Sequence, residues 1–257
     1  MRCFRPRDLI AVLSVLGAPL AFAAESPWYG RVGLGWQQSD SIHLGDQDCA
    51  STAPPALFGC AVGDDGRPIG AYGDFGSSWL WELGAGYRLT PDWRVELNYS
   101  QAGGYDFSGQ ANFSHVSGGQ PVSGNLTTHL LLAQLVRDID LGWERVKPWI
   151  GIGAGWARHD LDRMTYGFPG LAPGAATLVS GGDSDQFAWR IDLGIAILLD
   201  TRFILDLGWN YTDLGKVQSD AGPATILRTR GTRVLDIAGT EGDLRVQGVR
   251  IGLRYLF

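Results

Sequence analysis

The stretch Gln247-Gly-Val-Arg-Ile-Gly-Leu-Arg-Tyr-Leu-Phe257 decides the fold. Side chains alternate across an extended strand with period two, so Val249, Ile251, Leu253, Tyr255 and Phe257 share one face. Gly248, Arg250, Gly252 and Arg254 share the other. One side is apolar and the other is small or cationic. An apolar strand at a chain end frays in water, where nothing covers it. It is stable where it closes a ring of strands in lipid, because closure removes the unpaired edge that lipid cannot hydrate.

Seven further stretches carry the same period. Trp28 to Gln38 sets Trp28, Val32, Leu34 and Trp36 against Arg31, Gly33 and Gly35. Trp79 to Leu89 sets Trp79, Trp81, Leu83, Ala85, Tyr87 and Leu89 against Glu82, Gly84, Gly86 and Arg88. After the turn Thr90-Pro91-Asp92, Trp93 to Gln101 sets Trp93, Val95, Leu97 and Tyr99 against Arg94, Glu96 and Asn98. In Thr128 to Arg137 the run Leu130-Leu131-Leu132 leaves the two faces ambiguous. Past the link Asp138 to Arg145, the strand Val146 to Arg158 places Ile150, Ile152, Ala154 and Trp156 opposite Gly151, Gly153 and Gly155. Gln186 to Leu198 opposes Phe187, Trp189, Ile191, Leu193, Ile195 and Ile197 to Arg190 and Asp192. The turn Leu199-Asp200-Thr201 leads to a strand in which Phe203, Leu205, Leu207, Trp209 and Tyr211 oppose Asp206, Gly208 and Asn210.

Long and short connections alternate. Ser39 to Ser78, Ala102 to Thr127, His159 to Asp185 and Thr212 to Asp243 are long and rich in Gly, Pro, Ser and Asp. The three links between them are short. This predicts an all-β fold: a transmembrane, antiparallel, up-and-down barrel of eight strands with four long external loops and three short periplasmic turns. A ten-strand version would hide a hairpin in Ser39 to Ser78, and the prolines and glycines there argue against it.

Which face meets lipid follows from the side chains. A soluble barrel alternates too, with its apolar face inward. Here aromatics gather at the strand ends: Trp36, Trp79, Trp81, Tyr99, Trp156, Trp189, Trp209 and Tyr211 toward the long loops, and Trp28, Trp93, Trp143 and Phe257 toward the short turns. Two such girdles suit the two lipid–water interfaces. An eight-stranded lumen is wide enough only to be filled by side chains. Glycines would fit there, and Arg31, Arg190 and Arg250 would neutralise Glu82, Glu96, Asp192 and Asp206. The same arginines at mid-bilayer on the lipid face would cost about 2–4 kcal/mol each.

The N-terminus sets the compartment. Three arginines within residues 1–7, an apolar stretch from Leu9 to Ala23 and the ending Ala21-Phe22-Ala23 read as a signal peptide, residues 1–23, leaving a barrel domain over residues 24–257. Cys3 would leave with it. Cys49 and Cys60 then form the one intramolecular pair, in a compartment that permits disulfides. The formal charge of −6 argues against nucleic acid as a partner.

Three stretches resemble the opacity-type, OmpA-like small barrels of the Gram-negative outer membrane: Lys147-Pro-Trp-Ile-Gly-Ile-Gly-Ala-Gly-Trp-Ala157, Leu205-Asp-Leu-Gly-Trp-Asn-Tyr-Thr-Asp-Leu-Gly215 and Val249-Arg-Ile-Gly-Leu-Arg-Tyr-Leu-Phe257. Trp209 stands where that family more often has Tyr. Phe257 at the end with Tyr255 two before it resembles the C-terminal insertion signal of such proteins. The resemblance implies eight strands, insertion by the barrel-assembly machinery through the last strand, and loops used in adhesion, host contact or envelope integrity. No peptidoglycan-binding domain is expected after the barrel.

No catalytic residue, metal ligand or cofactor site is assigned. His115-Val116-Ser117 could supply the base and nucleophile of a lipid A deacylase-like enzyme, but it lies in a Gly-rich loop with no carboxylate placed to orient His115. Asp40, Asp46, Asp48, Asp64, Asp65 and Asp74 against Arg67 make an acidic loop, in which Asp64-Asp65-Gly66 is a candidate calcium turn without EF-hand spacing. His43, His129 and His159 show no metal-ligand spacing. Arg228, Arg230 and Arg233, mixed with acids, could meet lipopolysaccharide phosphates or a polyanionic glycan. The expected protein is a non-enzymatic, monomeric surface barrel, with a narrow pore or a lipid-modifying enzyme as alternatives.

Overall fold

A computed structural model describes residues 26–116 and 118–257. The segment expected to be a signal peptide lies outside them, as does Ser117. The described chain forms fourteen strands: β1 (Trp28–Ser39), β2 (Ile42–Asp46), β3 (Ala71–Asp74), β4 (Ser77–Arg88), β5 (Trp93–Ala111), β6 (Pro121–Asp138) and β7 (Val146–Leu161). There follow β8 (Met164–Gly167), β9 (Ala176–Val179), β10 (Gly182–Leu198), β11 (Phe203–Gln218), β12 (Gly222–Arg228), β13 (Gly231–Ile237) and β14 (Thr240–Leu256). Eight of them are long, and each pairs antiparallel with the next long strand in the chain. Pairing of β1 with β14, from Tyr29↔Leu256 to Ser39↔Val246, closes the eight-stranded ring.

The period-two reading holds within the ring. Val249, Ile251 and Phe257 are exposed on the outer surface, while Arg250 and Arg254 are buried inside. The three leucines of β6 resolve the same way: Leu130 and Leu132 point inward and Leu131 outward. Both aromatic girdles face out, with Trp79 and Trp156 at the loop end and Trp28 and Trp143 at the turn end. The inward glycines make room for their neighbours' rings. A Cβ on Gly86 would lie 2.1 Å from the Tyr29 ring, and one on Gly194 would lie 2.6 Å from the Trp149 indole. An arginine at Ile251, which sits between Leu34 and Leu207 on the outer face, should destabilise the barrel by about 2–4 kcal/mol. Urea unfolding in lipid vesicles measures this, and a cost under about 1 kcal/mol would place Ile251 away from the hydrocarbon midplane.

Above the lipid the structure departs from the expected loops. A tilted strand of roughly 10 residues spans the membrane, and β1 and β4 have 12 each. β5, β6 and β14 run to 19, 18 and 17 residues and project beyond it. Ala102 to Thr127 is therefore largely strand, interrupted near residues 112–120. A bulge between Ala102 and Tyr105, with Gly104 at φ +77°, shifts the register of β5 against β6. The extra residue inverts the alternation: Trp93, Val95, Leu97 and Tyr99 are on the outer face, whereas Tyr105 and Phe107 turn inward and are fully buried. A second bulge, between Asp213 and Lys216, carries Gly215 at φ +74° and turns Val217 inward.

The segment Ser39 to Ser78 does contain a hairpin. β2 pairs with β3, and the two also pair with β14 and β5, which fills the wall above the shorter β1 and β4. Pro54, Pro55 and Pro68 all fall between these two strands, so they interrupt no ladder. This hairpin stands outside the membrane and leaves the spanning count at eight.

Candidate functional site

The lower interior of the ring is a neutralised charge network. Glu82 lies among three arginines: Arg31 at 3.1 Å, Arg190 at 3.1 Å and Arg250 at 3.2 Å. Arg31 also reaches Glu96 at 3.0 Å, and Arg250 reaches Asp192 at 2.7 Å. Asp206 pairs with Arg254 at 2.6 Å. Thus the seven charges singled out in the sequence are all buried, and six of them join one connected cluster while Asp206 pairs beside it.

Further members of the network were not singled out. Arg94 bridges Glu96, at 3.0 Å, and Asp138. Arg254 neutralises Asp206, and Tyr29 donates its hydroxyl to Glu96 at 2.7 Å. Asn98 and Gln134 add amide hydrogen bonds to Glu96 and Asp192. Trp149 points inward on the parity of Gly151, with the guanidinium of Arg94 5.7 Å and that of Arg250 5.6 Å from its ring. Parity alone placed Arg94 and Arg254 inside, beside Glu96 and Arg250. Parity places Trp149 inside as well, but its residue type points the other way, because tryptophans elsewhere in the chain belong to the girdles.

The upper interior is apolar instead of charged. Leu44, Phe75, Tyr105, Phe107, Leu126 and Met164 are buried in one cluster, supplied largely by segments read from sequence as long external loops. The folded loops form a crown. β8 pairs with β6 and β9, β9 with β12, and β12 with β13, so the loops are continuous with the ring sheet. Between β2 and β3, Phe58 packs on Phe113 and Tyr166 at centroid distances of 5.4 and 5.9 Å. The Asp46 carboxylate anchors this turn by accepting the backbone N–H groups of Leu57, Phe58 and Gly59. Ala238 donates to the carbonyl of Pro55, which ties the fourth loop to the first.

Cys49 and Cys60 are joined by a disulfide with Cα atoms 4.8 Å apart. The bridge closes an 11-residue separation, for which chain entropy predicts about 3 kcal/mol of stabilisation. Replacing both with Ser should expose the β2–β3 connection to protease while the ring keeps its folded gel mobility. Unchanged cleavage would show that packing of Phe58, not the bridge, holds this turn.

The weaker candidates separate cleanly. Asp65 is held by Arg67 and by the Asn112 amide, and its pKa is lowered to about 2, first by the backbone N–H of Arg67. Asp64 accepts the backbone N–H of His115 at 3.1 Å. Among the described residues no three His, Cys, Asp or Glu side chains cluster as a metal site. His115 is exposed at φ +62°, and Ser117 lies outside the described residues. His159 is a buried core residue whose two ring nitrogens face the Thr128 hydroxyl and the Leu214 carbonyl, each at 3.0 Å. His129 meets the Tyr99 hydroxyl, and His43 stacks on Tyr72.

Comparison with known proteins agrees with this architecture. The family profile described as outer membrane protein beta-barrel domain matches residues 9–257. The outer membrane protease OmpT from Escherichia coli is 11% identical, over 93% of this chain and 99% of its own, with a TM-score of 0.51. OprG from Pseudomonas aeruginosa is 15% identical, over 90% and 97%, also with a TM-score of 0.51. Neisserial surface protein A is 17% identical, over 90% and 98%, with a TM-score of 0.46. No curated protein matches the chain. At such identities OmpT and OprG speak to the fold alone, and the family profile spans nearly the whole length. The chain therefore belongs to the outer membrane protein beta-barrel domain family and is an integral protein of the Gram-negative outer membrane.

Proposed function

We propose that this protein is a non-enzymatic surface barrel whose crown recognises another surface, of a host or matrix or of the envelope itself, while the ring anchors it in lipid. The observation that carries this reading is the crown. The loops pair with one another and with the ring, as a shaped platform does, above an interior filled by ion pairs below and by apolar side chains above. Filled interiors suit anchors better than pores. Outside the crown wall, Arg158, Lys216 and Arg245 lie beside Asp183, Glu241 and Asp213. These pairs give lipopolysaccharide phosphates mixed, exchangeable partners. The remaining partners of this reading are membrane lipid and, during insertion, the assembly machinery engaged through Val249, Ile251, Leu253, Tyr255 and Phe257; the working unit is a monomer.

The test is binding of cells displaying the full chain to an array of matrix proteins, receptors and glycans, against cells displaying the same ring with its four loops cut to short turns. Crown-dependent binding supports the proposal and names the partner class. Equal binding by both would overturn it. Discrete conductance in planar bilayers, changed by Arg190→Gln or Asp206→Asn, would establish a pore instead. A lipid-modifying activity lost in His115→Ala would establish an enzyme.

A further inference from the structure

All four loops meet at one cavity in the crown. It measures about 400 Å³ and is lined by Leu57 from the first loop, Phe113 from the second, Phe168 from the third and Ile226, Arg228 and Leu235 from the fourth. About 150 Å³ of apolar space is enough to hold benzene, so this cavity has room for a bicyclic ring or a short alkyl chain with a head group. Its walls are hydrocarbon and aromatic apart from a few polar groups, as small-molecule sites commonly are.

Among the described residues that line it, Arg228 is the one charged side chain. It donates Nη1 to the carbonyls of Leu227 at 2.8 Å and Ala176 at 3.0 Å, and its guanidinium lies 5.0 Å from the Phe168 ring centroid. These contacts hold the group in place, and all of them are neutral. Among the described residues no carboxylate pairs with Arg228 within 4.0 Å, whereas every lumenal arginine of the network has one. A guanidinium offers five N–H donors in a fixed fork suited to a carboxylate. Apolar walls beside an unneutralised, oriented guanidinium are complementary to one kind of small molecule.

We propose that the crown cavity binds a small amphipathic carboxylate, aryl or short alkyl, with its carboxylate on Arg228 and its hydrocarbon between Phe113, Phe168 and Leu235. The site stands apart from recognition of a host or matrix surface, so failure of that reading would leave it untouched. It also predicts selectivity. The neutral amide of the same acid should fit the walls and lose the ionic contact.

The probes are 2-naphthoate and 2-naphthamide, followed by equilibrium dialysis against the full barrel in lipid nanodiscs, with empty nanodiscs as the blank. One saturable site per barrel is expected for the acid. Arg228→Gln should weaken naphthoate about tenfold, the effect of losing one charged hydrogen bond, and change naphthamide little. Arg228→Lys should recover most of the affinity, which separates lost charge from a disturbed cavity. The proposal is overturned if naphthoate shows no saturable excess over empty nanodiscs, or binds Arg228→Gln as well as the native chain. It is overturned equally if both probes weaken together and Lys restores neither.

Discussion

Glu82→Gln should destabilise the folded barrel by about 3–5 kcal/mol, the range found when one partner of a buried ion pair is removed. Glu82 is 2% exposed and is the shared counter-ion of Arg31, Arg190 and Arg250. Gln keeps the shape and one acceptor but removes the charge, so three guanidiniums share the remaining Glu96 and Asp192. Desolvation makes such a deficit expensive, because the arginines left water on folding and cannot recover it inside the ring. The exposed pair Arg158–Asp185, at 3.7 Å, provides the contrast. Asp185→Asn should change stability by less than about 1 kcal/mol, since solvent already screens it. Urea unfolding in vesicles, read by tryptophan fluorescence, compares the two. A loss below about 1 kcal/mol for Glu82→Gln would show that water reaches the network, and the filled interior would then need revision.

Trp149→Ala should cost a similar amount, about 3–5 kcal/mol, as other large-to-small changes at buried aromatics do. The indole packs over Gly194 and Gly208 and beside two guanidiniums, so its removal leaves space that no neighbour can close. Even so, the variant should not conduct ions. The apolar cluster of Phe75, Tyr105, Phe107 and Leu126 lies above it and does not depend on it. Planar-bilayer recording of Trp149→Ala, with the native protein beside it, checks this. Steady conductance in the variant alone would mean that the indole, and not the apolar half, closes the ring.

The ring was legible from sequence because lipid imposes a simple rule on every residue. A strand side chain in the membrane faces either hydrocarbon or a narrow interior, so one parity must be apolar and the other small or neutralised. That rule placed Arg31, Glu82, Glu96, Arg190, Asp192, Asp206 and Arg250 inside. Applied without exception, it also places Arg94 and Arg254 there. It places Trp149 there as well, against its residue type, and the large ring needs the space left by glycines on two other strands.

The crown was not legible, for three physical reasons. Above the lipid nothing enforces the alternation. The bulges at Gly104 and Gly215 invert it there, so that Tyr105, Phe107 and Val217, odd-numbered like the lipid-facing residues below them, turn inward. Glycines and prolines that normally mark turns sit here at bulges or between short strands. Finally, β2, β3, β8, β9 and β12 each gain a partner from a distant part of the chain, as in Thr225↔Leu178.

The sequence by itself determined the barrel, its strand parity, its girdles and the sign of its interior charges, because each follows from period two and the cost of placing a charge in hydrocarbon. Only the tertiary structure decided which arginine meets which carboxylate, that the upper interior is apolar, and that Leu57, Phe113, Phe168, Arg228 and Leu235 meet around one cavity. Those facts depend on ring closure and on loops folding against one another, and no local pattern encodes a contact between residues far apart along the chain.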